Sequence, residues 1–243
     1  MRHWLRATVL LALVATMACH GDTGGATRAP GPTPDATTEA VETADGLHLD
    51  ARLFAADPDR LVILLHMYQV NQESWFGAAR QIRDHGYSAL TLDFRGYGDS
   101  DGDVEPADAV EDVRAALAFA QARGYAHVVL VGASMGGTAA IVTAASEPVD
   151  GLLTLSAPGQ FRGLDADAAV RHLDVPLAMI AASGDTSSEL TLKTFEDKAF
   201  VDARWALLVD GNAHGTALLD SSGSARVMAK LFEFLGAVWP PGS

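Results

Sequence analysis

Ser134 stands between two glycines directly after an apolar segment rich in β-branched residues, in the sequence LVGASMGG of residues 130–137. A serine hydroxyl attacks a carbonyl carbon only if it projects into a site, and a sharp strand-to-helix turn provides that projection. Gly132 and Gly136 suit such a turn because a Cβ at either position would clash. A helix that begins near Met135 would direct free N–H groups at a developing negative charge. The pattern predicts a nucleophile elbow with Ser134 as the nucleophile.

A serine nucleophile needs a general base, and His214 is the best candidate among the eight histidines. It follows the predicted strand Ala206–Val209, in the loop DGNAHG of residues 210–215, where glycines leave the imidazole room to move between serine and leaving group. The other histidines apart from His66 fall in a predicted leader, linker or hairpin, or at the ends of elements. They are interpreted as non-catalytic: His3, His20, His48, His85, His127 and His172.

The base in turn needs a carboxylate that orients its imidazole, and Asp185 is the predicted one. It follows the predicted strand Leu177–Ala182, in the loop SGDT of residues 183–186. Its side chain is therefore expected at the same edge of the sheet as Ser134 and His214. The other carboxylates between the serine and the histidine are expected to be solvated or to cap helices: Asp165, Asp167, Asp174, Glu189, Glu196 and Asp197.

Predicted strands and helices alternate along the chain on both sides of the elbow. Short apolar runs predict strands at Leu61–Leu65, Ala89–Leu92, Ala126–Val131, Leu152–Leu155, Leu177–Ala181 and Ala206–Val209. Helices are predicted at Ser74–Asp84, Ala107–Ala122, Thr138–Ser146, Glu189–Ala199 and Ser224–Leu235, with a short one near Asp165–Leu173. This alternation favours an α/β fold with a mostly parallel twisted sheet that helices cover on both faces.

These features together resemble the α/β-hydrolase superfamily over roughly Thr38 to Trp239. The chain order serine, acid, histidine is the order found in that superfamily. The segment LDFRGYGDS of residues 92–100 is similar to the superfamily's D-x-R-G-x-G-x-S loop. Asp93 and Arg95 in that loop are interpreted as a structural pair rather than as reactive groups. The resemblance implies acyl transfer through an acyl-enzyme, without a cofactor.

A second segment, VILLHMY of residues 62–68, is similar to the superfamily's strand followed by H-G-x. The third residue of that motif donates its backbone N–H to the oxyanion hole, so the resemblance implies that the amides of Tyr68 and Met135 form this hole. Met67 replaces the usual glycine, so the resemblance does not determine the backbone path of this loop. The Met67 amide is therefore an alternative oxyanion donor. His66 resembles the superfamily's buried structural histidine and is not expected to be a second base.

Length, composition and charge limit the possible functions. With 243 residues, of which 49% are hydrophobic, the chain can bury one α/β core but has no room for a second catalytic domain. Little sequence separates the predicted strands at Leu152 and Leu177, so no large lid is expected and small or short-chain acyl substrates are favoured. The formal net charge of −14 argues against nucleic acid as a partner. No spacing or motif predicts a metal site or a nucleotide site.

The leading prediction is a carboxylesterase-like serine hydrolase that cleaves ester-type bonds of small molecules. A peptidase or an acyltransferase on the same fold stays open, because its triad would look the same in sequence. A non-catalytic lipoprotein that uses the fold for binding is the third alternative, although serine, acid and base are all present in the expected order.

The amino terminus predicts an export signal and a tether. Residues 1–18 combine early arginines with a moderately apolar run that is short for a membrane span, and are predicted to be a signal peptide. Cys19, the only cysteine, resembles the lipidated cysteine of bacterial lipoproteins, which implies a membrane anchor. Residues 19–37 are predicted to be a flexible tether and residues 38–243 the hydrolase domain. The expected location is the bacterial cell envelope, with a soluble periplasmic or secreted protein as the alternative.

Overall fold

The computed structural model describes residues 35–198 and 200–240. Within these ranges the strands are β1 (Thr37–Glu42), β2 (His48–Phe54), β3 (Arg60–Leu65), β4 (Ser88–Leu92), β5 (His127–Ala133), β6 (Gly151–Leu155), β7 (Gln160–Phe161), β8 (Leu164–Asp165), β9 (Leu177–Ala182) and β10 (Ala206–Val209). The helices are α1 (Phe76–Asp84), α2 (Ala109–Ala122), α3 (Met135–Ala144), α4 (Ala166–Ala169), α5 (Thr186–Asp197) and α6 (Ser224–Val238).

Eight of the described strands form one sheet in the order β1-β2-β4-β3-β5-β6-β9-β10. The pairs β1/β2 and β2/β4 are antiparallel, and all the pairs from β4/β3 to β9/β10 are parallel. The central strand β3 is completely buried from Leu61 to Leu65, as expected for a parallel strand that helices cover on both faces. The predicted fold class, a mostly parallel sheet that helices cover, is therefore confirmed, and residues 35–198 and 200–240 form no large lid.

Helix α3, which follows the elbow, is packed into the interior along nearly its whole length. Its side chains are small, and Gly136, Thr138, Ala139 and Ala140 are all buried. Small residues let the helix approach strands β5 and β6 closely. The amino-terminal end of α3 is therefore held firmly at the carboxyl edge of the sheet, where Ser134 lies.

The predicted elements are present in the predicted order, with shifted ends. Helix α5 begins at Thr186 rather than at Glu189, with Asp185 at its N-cap position and polar residues in its first turn. Strand β5 continues to Ala133, two residues beyond its predicted end. Strand β1 begins at Thr37, one residue inside the predicted tether. Its partner β2 forms the predicted edge hairpin that includes His48.

The segment between β6 and β9 contains a small feature that the sequence did not predict. Strands β7 and β8 have two residues each and pair antiparallel with each other, apart from the main sheet. Strands this short show no hydrophobic periodicity, so local patterning does not reveal them. We call residues 160–165 the rim hairpin.

The predicted signal peptide, Cys19 and residues 19–34 of the predicted tether lie outside the described residues. In the part of the chain that is described, no helix has both the length and the apolar character needed to cross a bilayer.

Candidate active site

Ser134 lies at the junction of β5 and α3 in a strained backbone conformation. Its φ is +47° and its ψ is −115°, a combination that a residue with a side chain rarely adopts. The surrounding backbone holds it there, because the Ser134 N–H donates to the Leu155 carbonyl at 2.8 Å and its own carbonyl accepts from the Thr138 N–H at 2.9 Å. Strain of this kind at a serine between a strand and a helix fits a nucleophile elbow.

Two glycines allow this turn for the predicted steric reason. A Cβ on Gly132 would lie 2.4 Å from the Gly136 carbonyl oxygen. A Cβ on Gly136 would lie 2.5 Å from the Leu65 carbonyl oxygen, at the end of β3. Both distances are far shorter than van der Waals contact, so neither position accepts a side chain. The second contact also shows that the first turn of α3 lies directly against the loop that follows β3.

Ser134, His214 and Asp185 form one hydrogen-bonded chain. His214 Nε2 lies 2.8 Å from Ser134 Oγ, and His214 Nδ1 lies 2.7 Å from Asp185 Oδ2. A carboxylate only accepts hydrogen bonds, so the Nδ1 nitrogen carries the proton and Nε2 is free to accept the serine proton. This tautomer is the one that a general base at His214 requires.

The loops that carry the acid and the base are bonded to each other. The Ser183 N–H donates to the Val209 carbonyl at 2.9 Å, and the Gly184 N–H donates to the Gly211 carbonyl at 2.7 Å. Asp185 makes no side-chain cap for α5, although it occupies the N-cap position. Its carboxylate is oriented toward His214 instead.

Two of the competing carboxylates have other partners. Asp165 accepts from the Ala168 N–H at 3.0 Å and caps α4, while Glu189 pairs with Lys193 on the surface of α5. These two contacts are of the helix-capping and solvated kind that the sequence predicted.

Asp185 and His214 differ sharply in how far their side chains are buried. The Asp185 side chain is 11% exposed, whereas the His214 side chain is 43% exposed. The carboxylate is therefore sheltered from competing water while the imidazole is accessible to water at the rim of the site. Such access suits a histidine that activates both a serine and a later water molecule.

The two predicted oxyanion donors lie at the point where α3 meets the loop after β3. Met135 is the first residue of α3, so its N–H has no acceptor within the helix. Among residues 35–198 and 200–240, neither the Met135 amide nor the Tyr68 amide has a hydrogen-bond partner. Free N–H groups beside a serine are what binding of an oxyanion needs. The Met67 amide is also without a partner in this part of the chain, so it stays an alternative donor.

Met67, which stands where the related motif has glycine, is accommodated by the loop of His214. A Cβ on Gly215 would lie 2.5 Å from the Met67 sulfur, and Gly215 has a φ of +58°. The glycine therefore makes room for the methionine next to the histidine. The larger side chain at position 67 therefore fits because position 215 has no side chain.

Aromatic contacts that the sequence did not predict surround Tyr68. Its hydroxyl accepts from Arg162 Nη1 at 3.0 Å, and the guanidinium carbon lies 4.4 Å from the centre of its ring. The Phe161 ring is 5.6 Å away and the Tyr97 ring 6.4 Å away, centre to centre. Gln69, with a φ of +64°, donates its N–H to the Tyr97 hydroxyl at 3.4 Å. The loop of the predicted oxyanion donor is thus held from two sides.

His66 is the buried structural histidine that the sequence predicted. It is completely buried, its Nδ1 lies 2.8 Å from the Met67 carbonyl oxygen, and its Nε2 accepts from the Phe94 N–H at 3.1 Å. Burial lowers the pKa of His66 to about 4. The ring is neutral at pH 7, and both of its nitrogens are already occupied by backbone groups.

The interpretation of Asp93 and Arg95 as a pair is wrong. Asp93 accepts from the backbone N–H of Gln72 at 2.7 Å and from its side-chain amide at 3.0 Å. Arg95 Nε donates to Asp112 Oδ1 on α2 at 2.9 Å, and its backbone N–H donates to Asp112 Oδ2 at 2.9 Å. A turn over residues 94–97 begins directly after Asp93, and the two side chains have different partners. Burial raises the pKa of both the Asp93 and Asp112 carboxyls.

In the described part of the chain, no group of three or more histidine, cysteine, aspartate or glutamate side chains has a geometry that could hold a metal ion. No curated protein sequence matches this chain significantly.

Solved structures share the architecture at low sequence identity. The esterase Pf2001 of Pyrococcus furiosus is 18% identical with a TM-score of 0.68, over 83% of this chain and 91% of that one. The esterase RhEst1 of Rhodococcus sp. ECU1013 is 16% identical with a TM-score of 0.69, over 83% of this chain and 99% of that one. A structure from a study of carboxylesterases of Nitrososphaera gargenis is 12% identical with a TM-score of 0.68, over 82% and 98%. These likenesses establish the fold.

A sequence model of the alpha/beta hydrolase family matches residues 62–241, about three quarters of the chain. That range contains the elbow, both loops that carry the acid and the base, and the loop of Tyr68. The chain belongs to the alpha/beta hydrolase family.

Proposed function

We propose that this protein is a serine esterase that hydrolyses small or short-chain esters. The observation that carries the proposal is the hydrogen-bonded chain from Ser134 through His214 to Asp185, with separations of 2.8 Å and 2.7 Å, beside free backbone amides. A retired site would have no physical reason to keep a strained serine, a correctly oriented imidazole and a buried carboxylate together.

The proposed reaction has two steps. His214 Nε2 takes the serine proton as Ser134 Oγ attacks the ester carbonyl, and Asp185 stabilises the imidazolium. The amides of Tyr68 and Met135 bind the oxyanion of the tetrahedral intermediate, each contributing about 3 to 4 kcal/mol to transition-state stabilisation. The protonated imidazole then donates to the leaving alcohol. Water, activated by the same histidine, releases the acyl group.

The preference for small substrates rests on the short segment between β6 and β9. It holds only the rim hairpin, α4 and one 3₁₀ turn, at Val170–His172. No large lid is formed by the described residues to enclose a long acyl chain. The esterase names of two structural neighbours are consistent with this class of reaction, although the shared identity is too low to transfer a substrate.

A peptidase or an acyltransferase is the second candidate, because the same triad supports both. An amide substrate would be cleaved by the peptidase, and a second alcohol would be acylated in preference to water by the transferase. Initial rates on a panel of p-nitrophenyl esters, aminoacyl amides and ester–alcohol mixtures separate the three activities.

The nucleophile is tested with a fluorophosphonate probe and with ester turnover. Wild-type protein should be labelled, whereas Ser134→Ala should not be labelled and should lose nearly all activity, about 10⁶-fold in kcat as in other triads. Ser156→Ala is the matched control, because Ser156 is buried at the end of neighbouring β6 with a φ of +55°. Its hydroxyl has no hydrogen-bond partner in the described chain, so that variant should still be labelled. An unlabelled, folded wild type would favour the non-catalytic alternative.

A further inference from the structure

The turn of the rim hairpin presents an arginine at a backbone position that disfavours it. Arg162 and Gly163 form the two-residue loop between β7 and β8, with φ values of +41° and +95°. Positive φ at both positions is typical of a type I′ turn, in which asparagine–glycine is the favoured pair. Arginine is sterically disfavoured there. A costly residue at such a position points to a role for its side chain.

The guanidinium of Arg162 is held in one place by aromatic side chains. It donates to the Tyr68 hydroxyl at 3.0 Å and lies over the Tyr68 ring at 4.4 Å. The Phe161 ring, 5.8 Å from the guanidinium carbon, packs against the same tyrosine. These contacts occupy one edge and one face of the guanidinium. An arginine offers five N–H donors, so most of its donors stay available.

Arg162 also differs from most of the basic residues in its charge environment. The chain contains 31 acidic and 17 basic residues, and most of the described arginines and lysines have a carboxylate at ion-pair distance. Among the described residues, Arg162 has no such carboxylate partner. An exposed cation that stays unpaired in so acidic a chain is free to bind an anion from outside the protein.

The rim hairpin and the residues just before it contact both sides of the proposed oxyanion hole. At its base, the Pro158 carbonyl accepts from Thr138 Oγ1 in the first turn of α3, at 2.9 Å. At its tip, Arg162 contacts Tyr68, the residue whose amide is the proposed second donor. The guanidinium is therefore joined, through the Tyr68 side chain, to the loop whose amide is the proposed oxyanion donor.

We propose that Arg162 binds an anionic group of the substrate, so that the enzyme prefers esters that carry a carboxylate. This inference rests on the proposed esterase function and names its substrate class. The planar guanidinium matches a carboxylate in a bidentate hydrogen bond, whereas the aromatic contacts keep it oriented before the substrate arrives. The negative charge of the whole chain does not cancel this contact, because exposed charges are screened beyond about 8 Å at physiological ionic strength.

The test compares matched charged and neutral esters on the wild-type protein. For a charge on the acyl side, the pair is the p-nitrophenyl monoester of adipic acid and p-nitrophenyl hexanoate. For a charge on the alcohol side, the pair is 3-carboxyphenyl hexanoate and 3-carbamoylphenyl hexanoate. We expect kcat/KM to favour the charged member by at least about tenfold in one of the pairs, the size of one charge-assisted hydrogen bond. Equal rates within both pairs would overturn the proposal.

Arg162→Asn is the decisive variant, since asparagine suits a type I′ turn and the hairpin should fold at least as well. It should bring the ratio of kcat/KM for the charged and neutral esters to about one, whatever its effect on the neutral ester alone, and Arg162→Lys should keep only part of the preference. Arg171→Gln is the matched control, because Arg171 is also exposed and has no ion pair in the described chain. A preference that survives in Arg162→Asn, or that Arg171→Gln removes equally, would contradict the assignment.

The outcome is distinguishable from failure of the proposed function. If the wild type hydrolyses neither member of either pair, the esterase assignment fails. If it hydrolyses the neutral esters but shows no preference for charge, only the role of Arg162 fails. If Arg162 merely positioned Tyr68, both members of a pair would slow equally in Arg162→Asn, and the ratio between them would not change.

Discussion

At the scale of single residues, the proposed chemistry depends on which atom of His214 holds the proton. Asp185 fixes the tautomer, because its carboxylate accepts from Nδ1 at 2.7 Å and is largely buried. Ser134 lies on the other side of the ring at 2.8 Å. The three side chains come from loops after β5, β9 and β10, so each loop contributes one group whose orientation depends on the other two.

Asp185→Asn should reduce kcat by about 10⁴-fold, because the amide favours the wrong imidazole tautomer while it keeps the shape of the side chain. Steady-state kinetics on a p-nitrophenyl ester would measure the loss, and circular dichroism would check the fold. Asp165→Asn is the control, since Asp165 caps α4 away from the histidine, and its kcat should be almost unchanged. Near-normal turnover in Asp185→Asn would mean that another carboxylate orients the base.

At the scale of elements, the loop of residues 93–100 joins β4 to the rest of the fold through two separate networks. Asp93 is bound by Gln72, while Arg95 is bound to Asp112 on α2. The Arg95–Asp112 contact is buried, with the aspartate side chain completely inaccessible to solvent. A buried charge that loses its partner is strongly destabilising, so this pair is expected to determine how tightly α2 is held.

Asp112→Ala should lower the free energy of unfolding by about 3 to 5 kcal/mol, because it removes the buried carboxylate partner of Arg95 and leaves only the exposed carboxylates of Asp45 and Asp108 beside the guanidinium. Asp108→Ala is a matched control, since Asp108 also faces Arg95 at 3.4 Å but is 49% exposed. An exposed pair contributes little, so that variant should lose less than about 1 kcal/mol. Urea denaturation of both variants decides the question. Similar losses in the two variants would show that burial of Asp112 is not the source of the effect.

At the scale of the whole molecule, charge governs how the surface interacts with solvent and how the free energy of unfolding depends on pH. The chain has a formal net charge of −14, so its surface repels anions at long range and favours solubility. Inside, His66 is kept neutral between the backbone groups of Met67 and Phe94. The free energy of unfolding therefore depends on the pH at which that histidine gains a proton.

The free energy of unfolding should fall as the pH falls from about 6.5 to about 4, because burial lowers the pKa of His66 to about 4 from 6.5. In that window the unfolded chain binds a proton that the folded chain does not, so the stabilisation is complete above pH 6.5 and is lost toward pH 4. The shift corresponds to about 3 kcal/mol. Urea denaturation at several pH values would measure it.

His66→Asn should be less stable at pH 7 but should show a shallower dependence on pH across the same window. His172→Asn is the control, because His172 is exposed, and the loss of stability across this window should be as large as in the wild type. Asp93, whose pKa burial raises and whose Oδ1 lies 3.9 Å from His66 Nε2, has the opposite effect on stability as the pH falls. An unchanged slope in His66→Asn would contradict the role of His66.

We also propose that the mature protein begins at Cys19 with lipid on that cysteine. Cys19 directly follows the apolar run and Ala18, and a lipid would anchor the domain without a spanning helix. The full chain should partition into detergent after expression in bacteria, and Cys19→Ser should be released or left unprocessed. Mass spectrometry of the amino-terminal peptide tests this directly. An unmodified Cys19, or a mature chain that begins well beyond it, would indicate a soluble exported enzyme.

The sequence by itself determined the order of elements and the candidates for the site. Each strand that carries a group is a short apolar run, and the glycines around Ser134 and beside His214 mark turns, so local steric rules were sufficient to place them. Parallel strands bring their carboxyl ends to one edge of the sheet, so the sequence alone predicted Ser134, Asp185 and His214 at that edge. The resemblance to the α/β-hydrolase superfamily also distinguished His66 from the candidate base.

Only the tertiary structure decided the pairings between segments that lie far apart in the chain. Asp93 and Arg95 are two residues apart, yet one binds Gln72 and the other Asp112. The contact of Arg162 with Tyr68 spans 94 positions and depends on a hairpin whose strands have two residues each. Periodicity reports which face of an element is apolar, not which distant side chain it meets. The contacts between residues that are far apart in the chain depend on tertiary packing, and the charge proposed for the substrate rests on one of them.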